Sequence, residues 1–147
     1  MKKAIILLLA LVMTLSFCAC GGGSTAINIT LTDGTEKTFE SPMDLITAYQ
    51  ENEVANEELY MHAEATVEGN IEEIEATKRY VFGIYKDVVS VKLEGDCYLY
   101  FDAAYEKPME LVKAVNVGDY VKAVGTTADI EGTFIALSAY EMEHVEF

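Results

Sequence analysis

The chain has 147 residues, 51% of them hydrophobic and 10% aromatic, so it can fold around one modest core and is not a disordered acidic chain. Its 25 Asp and Glu residues outnumber its 10 Lys and Arg residues, which gives a net charge of −15. No basic residue lies between Lys37 and Lys78, where many of the acidic residues are concentrated. Such a surface repels nucleic-acid phosphates and anionic lipid headgroups, and it also keeps a secreted protein soluble.

The first residues follow the pattern of an export signal. Met1-Lys2-Lys3 is a short positive start, and residues 4–15 are an apolar run too short to span a bilayer, which needs about 20 residues. Small residues and two cysteines end this run, and a Gly/Ser segment follows it. We therefore expect residues 1–19 to be a signal peptide. The alternatives are an uncleaved N-terminal helix and a plain secretory signal.

The end of this segment resembles the lipobox of bacterial lipoproteins, in which a small residue directly precedes an invariant cysteine. Cys20 follows Ala19, whereas Cys18 follows the bulky Phe17, so Cys20 is the better match. Phe17 departs from the pattern, because a lipobox usually has Leu there. The resemblance implies a diacylglycerol on Cys20, a lipid-anchored linker over residues 20–26 and a location in the cell envelope, outside the cytoplasm. Two acyl chains suffice for stable anchoring. Removal of Lys2 and Lys3 would leave 8 basic and 25 acidic residues, a net charge of −17.

Cys97 has no cysteine partner in the mature chain once Cys20 carries a lipid. One cysteine and two distant histidines, His62 and His144, do not form a metal site. Because Cys97 lies in an alternating apolar run, we predict a buried, inert thiol rather than a reactive one. We expect neither a metal nor another cofactor.

Residues 27–58 are predicted to form a strand hairpin and a helix. Residues 27–31 alternate and are rich in β-branched side chains, a turn follows, and residues 36–39 could return as the second strand. Ser41 followed by Pro42 is a typical helix start. Apolar residues recur at three- and four-residue steps from Leu45 to Leu59, which predicts one helix over this stretch.

From Tyr60 the hydrophobic period changes to two, which predicts a long strand. Residues 61–67 alternate, Gly69 interrupts, and the pattern resumes through Ile71 and Ile74 with a slip of phase. A glycine inside a strand often marks a bend or bulge. A strand of this length must curl if it serves both sides of a small barrel.

Further elements follow at short spacing. Residues 88–93 and 97–101 form a predicted hairpin, 108–115 a short helix, and 120–125 and 133–142 two more strands, with a turn at 129–132. The segment 77–86 is ambiguous: it either extends the first hairpin or forms a long loop. The order is therefore strand, strand, strand, helix, strand, strand.

From about Leu45 to Met142 the chain resembles the OB-fold domains, related to tRNA-anticodon-binding folds, that occur in small bacterial lipoproteins. The resemblance rests on the approach from Ala55 to Tyr60 and on three further sequence stretches, 67–69, 97–101 and 115–121, taken in this order. It implies an all-β protein with accessory helices. Residues 59–147 would form a five-stranded OB-fold Greek-key barrel, preceded by a short hairpin and a helix.

No sequence feature indicates catalysis. The run Gly21-Gly22-Gly23 belongs to the linker and follows no strand, so it is not a phosphate-binding loop. The chain also lacks a nucleophile elbow and a metal-spaced histidine pair. We therefore expect a non-enzymatic binding or structural module.

Aromatic residues mark a candidate binding face. OB-folds stack ligands on aromatic side chains of their second and third strands. Here the candidates are Tyr80, Phe82, Tyr85, Tyr98 and Tyr100. The partner we expect, besides the membrane through Cys20, is a protein, peptide or glycan. Single-stranded nucleic acid is the alternative, and acidic residues on the same predicted rim oppose it. The sequence does not indicate an oligomeric state.

Overall fold

The computed structural model describes residues 25–146, so the predicted signal peptide, Cys20 and residues 21–24 of the linker lie outside the described residues. The chain forms seven strands and three helices between these limits. In chain order they are β1 (Ala26–Thr30), β2 (Glu36–Phe39), α1 (Pro42–Gln50), α2 (Glu53–Tyr60), β3 (Glu64–Val81), β4 (Ile84–Leu93), β5 (Cys97–Asp102), α3 (Glu106–Lys113), β6 (Tyr120–Glu131) and β7 (Phe134–His144).

Five of the strands are hydrogen-bonded in a closed ring. β3 pairs with β4, β4 with β5, β5 with β7, β7 with β6, and β6 with β3 again. The β5–β7 pairing is parallel and the other four are antiparallel. Helix α3 connects β5 to β6. The prediction of an all-β protein with accessory helices, and of its element order, is confirmed.

The N-terminal hairpin belongs to the same sheet and the same core. β1 pairs with β2 on one side and with the start of β3 on the other. Ile27 and Ile29 of β1 and Leu45 of α1 lie fully buried in one cluster with Phe101 of the ring. The stretch 27–58 is therefore not a separate folding unit.

The single helix predicted up to Leu59 is in fact two helices. Asn52, which lies within this stretch, is the N-cap of α2, and its side chain accepts a hydrogen bond from the Ala55 N–H at 3.4 Å. Its backbone has φ −152°, outside the helical region. Asparagine competes with helix formation by bonding to nearby backbone groups, so it starts a new helix here.

The long strand also begins later than predicted. Tyr60 is the last residue of α2, and His62 turns the chain at φ +61° before β3 starts at Glu64. The junction is fixed by Thr127 of β6, which is fully buried. Its N–H donates to the Ala63 carbonyl (2.9 Å) and its carbonyl accepts from the His62 N–H (3.0 Å). Its hydroxyl accepts from the Ala63 N–H (3.0 Å) and donates to the Tyr60 carbonyl.

β3 curls as predicted, because its two halves have different partners. Residues 64–70 pair with β6 and residues 71–81 with β4. The phase slip is a register shift between Ile71 and Glu73, not a bend at Gly69. Gly69 has a different role: a Cβ there would lie 2.5 Å from the Thr25 hydroxyl oxygen.

The ambiguous segment 77–86 extends the first hairpin. β3 runs to Val81, a two-residue turn of Phe82 and Gly83 follows, and Ile84 pairs with Val81. The predicted turn at 129–132 lies later, since β6 continues to Glu131. These extensions give the ring two long hairpins, β3–β4 and β6–β7.

We predict that Thr127→Val destabilises the protein by about 1–3 kcal/mol, since it removes a buried hydroxyl that makes two hydrogen bonds at the helix–ring junction. Thr126→Val is the matched control, because Thr126 is only partly buried on the opposite side of the strand and should change stability by less than about 0.5 kcal/mol. Urea unfolding of both variants measures the difference. Equal losses would contradict this account of the junction.

Candidate functional site

The five residues of the predicted binding face fall into two groups. Tyr98 and Tyr100 lie half-buried on the outer side of β5, while Tyr80, Phe82 and Tyr85 lie exposed at the end of the β3–β4 hairpin. Arg79 contacts Tyr100 and so lies on the same side of the sheet as Tyr98 and Tyr100. Because successive side chains of a strand point to opposite sides, the neighbouring Tyr80 faces the other side of the hairpin. The structure therefore does not bring the five residues together on one surface.

The group on β5 forms an aromatic platform together with Phe134, the first residue of β7. The rings of Tyr98 and Tyr100 have centroids 6.4 Å apart and planes 20° apart, so they present nearly parallel faces. Phe134 meets the Tyr98 ring edge-on, with centroids 5.8 Å apart. The alternating residues of β5 are fully buried, as predicted, and fix the orientation of the platform.

Arg79 covers one end of the platform. Its guanidinium carbon lies 4.6 Å from the centroid of the Tyr100 ring, and the same group forms an ion pair with Asp129 of β6. The Arg79 side chain is only 20% exposed. Burial raises the pKa of Tyr100, and the Arg79 charge acts in the opposite direction. Arg79 therefore links the β3–β4 hairpin to the β6–β7 hairpin across Tyr100.

Lys92 of β4 lies at the other end of the platform. Its ammonium group is 5.9 Å from the centroid of the Tyr98 ring. It also bonds to Glu72 at 2.9 Å and to Asp96 at 3.0 Å. These two hydrogen bonds raise the pKa of Lys92 above its usual value. The charge beside Tyr98 is thus permanently positive and already paired.

The other basic residues of this region are paired in the same way. Lys78 bonds to Asp87 at 2.8 Å, and Lys86 lies 3.7 Å from Asp102. Such exposed pairs contribute little stability, but they cancel charge locally. The cations on the platform side, Arg79, Lys86 and Lys92, are therefore neutralised and do not form a basic groove.

Two surface grooves lie away from the platform. One, of about 240 Å³, is lined by polar side chains of β1, β2 and β3, such as Asn28, Thr38 and Thr66. The other, of about 350 Å³, lies between α3 and the β6–β7 hairpin and is lined by residues such as Leu111 and Met142. Neither includes an aromatic residue of the predicted face.

Sequence reasoning missed two parts of the site. Phe134 joins Tyr98 because β7 runs parallel to β5, a pairing between strands distant in sequence. The Arg79–Asp129 pair joins residues 50 positions apart. The clustering of Lys78, Arg79 and Lys86 in the sequence was a signal, but it did not reveal that each has an acidic partner.

Within residues 25–146, no cluster of three or more acidic, histidine or cysteine side chains is placed to hold a metal ion. The same residues contain no helix long and apolar enough to cross a membrane. The chain matches no protein-family model, and neither a curated protein nor a solved structure is significantly similar to it.

Cys97 is fully buried at the start of β5 beneath the platform. Burial raises the pKa of its thiol from 9.0 to about 12. Because the thiolate is the reactive form, burial opposes reaction of this thiol in the folded protein.

We predict that Cys97 makes the protein less stable at alkaline pH. In the unfolded chain the thiol ionises above pH 9, whereas in the folded protein it stays protonated to about 12, so its contribution is complete below pH 9 and falls as pH rises. Between pH 8 and pH 10 the parent protein should lose about 1–1.5 kcal/mol more than Cys97→Ala. Urea unfolding at the two pH values measures this. An equal loss in parent and variant would contradict the prediction.

Proposed function

We propose that this chain is a non-enzymatic binding module of the bacterial cell envelope, held at a membrane by a lipid on Cys20 and built on an OB-fold. The closed ring of β3, β4, β5, β7 and β6, with α3 inserted between its third and fourth strands, supports the OB-fold. The export pattern and the match of Cys20 to the lipobox support the anchor. Thr25 is fully buried in the domain and lies five residues after Cys20, so few residues would separate the lipid from the domain.

The observation that carries the binding role is the aromatic platform. Tyr98 and Tyr100 present nearly parallel rings on the outer side of a strand whose other side is buried. Parallel rings at this spacing suit a ligand with flat apolar faces, such as a glycan or a proline- or aromatic-containing peptide segment. Since Arg79 and Lys92 already have acidic partners, the platform favours a ligand without net negative charge.

Arg79 also determines how a ligand could reach Tyr100. Its guanidinium lies over the ring, so a ligand that stacks there replaces Arg79, whereas the Tyr98 end can be approached past Lys92. The ion pair with Asp129 would hold the displaced guanidinium beside the ligand. The platform can therefore bind first at Tyr98 and extend to Tyr100 when Arg79 moves.

Single-stranded nucleic acid remains the second candidate, because cations beside stacked tyrosines are a feature of such sites. Stacking contributes about 1–3 kcal/mol per base, but affinity also requires free positive charge along the backbone path. Glu72, Asp96 and Asp129 remove that charge here. The neutral ligand is therefore our first candidate.

We predict that Tyr98→Ala combined with Tyr100→Ala lowers affinity for a stacking ligand at least tenfold, because each lost ring contact is worth about 1 kcal/mol or more. The control is Tyr105→Ala, which removes a tyrosine that is 63% exposed outside the platform. Calorimetric titration with N-acetylglucosamine oligomers and with a proline-rich peptide provides the measurement.

The same variants separate the two candidates. If the parent protein binds a single-stranded oligonucleotide at low salt and the double variant does not, the nucleic-acid function is correct and the neutral-ligand proposal is wrong. Binding that survives the double variant would place the ligand site elsewhere.

We predict that Cys20→Ser releases the protein from the membrane fraction or leaves it unprocessed, since no other residue would carry the lipid. Cys18→Ser is the matched control and should leave anchoring unchanged. Membrane fractionation with radiolabelled fatty acid distinguishes the two variants. Unchanged labelling of Cys20→Ser, or its loss in Cys18→Ser, would move the anchor.

A further inference from the structure

The β3–β4 hairpin ends in an exposed apolar surface that the aromatic platform does not use. Phe82 is 97% exposed, Tyr85 72%, Tyr80 63% and Ile84 57%. The two tyrosine rings contact each other with centroids 5.1 Å apart. We refer to residues 80–85 as the hairpin tip; no charged residue lies among them.

The backbone conformation of the tip indicates that Phe82 does not stabilise the fold. Phe82 and Gly83 have φ +48° and +84°, the left-handed pair of a two-residue hairpin turn that Asn-Gly fits best. A bulky side chain is disfavoured in this region. Since Phe82 is almost fully exposed, contacts within the described chain do not compensate for this conformation. Strain at an exposed residue points to a role outside the chain.

We infer that the hairpin tip inserts into the interfacial layer of a lipid bilayer. Its side chains follow the polarity gradient of that layer: Phe82 at the apex, Ile84 next, the amphipathic Tyr80 and Tyr85 behind them, and basic residues last. Apolar rings enter the acyl region, tyrosines prefer the headgroup level, and charged residues remain in water.

The charge of the hairpin fits the same partner. Residues 78–87 contain Lys78, Arg79, Lys86 and a single acidic residue, Asp87, and each cation has an acidic partner, so this end of the hairpin is close to neutral in a chain whose net charge is −15. The acidic remainder of the domain is repelled by anionic headgroups, so contact is restricted to this hairpin. A contact of four side chains is weak by itself. It becomes effective when a tether keeps the domain near the bilayer.

The anchor proposed at Cys20 limits the orientation of the inserted domain. Thr25 bonds to the Glu94 carbonyl, at the end of β4 remote from the tip. β4 has ten residues, so these ends are about 33 Å apart. The five steps from Cys20 to Thr25 reach at most about 17 Å. Both contacts can therefore exist together only when β4 lies within about 30° of the membrane plane. Effective insertion of the tip rests on the proposed anchor, and so does this orientation.

A tryptophan reporter tests the insertion directly, because the chain contains no tryptophan. Phe82→Trp places one at the apex, and Val54→Trp places one at the control position, which is 87% exposed on α2. The full-length protein is reconstituted into vesicles of phosphatidylcholine and phosphatidylglycerol, with and without brominated phosphatidylcholine. We expect blue-shifted emission and quenching by bromolipid for Phe82→Trp, and neither for Val54→Trp.

Two results would overturn the inference. Absence of bromolipid quenching at position 82, or equal quenching at positions 82 and 54, would show that the tip does not insert. A blue shift that appears without lipid and grows with protein concentration would show that the tip binds a second copy of the chain instead.

Phe82→Asn separates insertion from folding. It creates the Asn-Gly turn that this backbone favours, so the urea midpoint should stay equal or rise, while bromolipid quenching of a Tyr85→Trp reporter should be lost. A lower urea midpoint would show that Phe82 packs within the protein, and retained quenching would show that Phe82 is not the inserted group. Either outcome contradicts the inference. Cys20 is unchanged in these variants, and emission is recorded only from protein that floats with the vesicles, so loss of insertion is distinguished from loss of the anchor.

Discussion

The fold depends on a change of phase within β3. This one strand pairs with β1 and β6 through its first half and with β4 through its second half. Val67 and Ile71 face the core before the register shift, and Ile74 faces it afterwards. Before the bulge between Ile71 and Glu73, the odd-numbered residues of β3 face the core; after it, the even-numbered residues do. Without the bulge, the second half of β3 would turn its polar side to the core, since a one-residue slip exchanges the two faces of a strand.

The functional geometry follows from this constraint. After the shift, the odd-numbered residues of β3 lie on the outer side, which brings Arg79 to the Tyr100 ring. The parallel pairing of β5 with β7 brings Phe134 to Tyr98. The platform therefore consists of residues from two strands, is covered at one end by Arg79 of a third strand, and is bordered by two long hairpins. The ion pair Arg79–Asp129 between these hairpins crosses the platform, so β3, the strand that closes the ring, also determines access to the tyrosines.

What the sequence could predict was the local pattern. Alternation along β5 correctly distinguished the buried Leu99 from the outward-facing Tyr98 and Tyr100, because burial on one side of a strand depends on neighbouring residues. Features that depend on long-range contacts could not be found this way. Asn52 fits the spacing of an apolar stripe and becomes a cap only when the chain turns there. Likewise, nothing near Arg79 in the sequence indicates Asp129, which the curvature of the ring brings to it.

Alternation also relates the two candidate surfaces. Tyr80 and Tyr85 face each other across the hairpin, while Arg79 and the platform lie on its other side. If the Tyr80–Tyr85 side of the tip contacts the bilayer, Tyr98 and Tyr100 are directed away from the lipid. Membrane contact and ligand binding would then not compete for the same face. A short tether and an inserted tip would together hold the domain in one orientation, which reduces the orientational freedom that a ligand must restrict on binding.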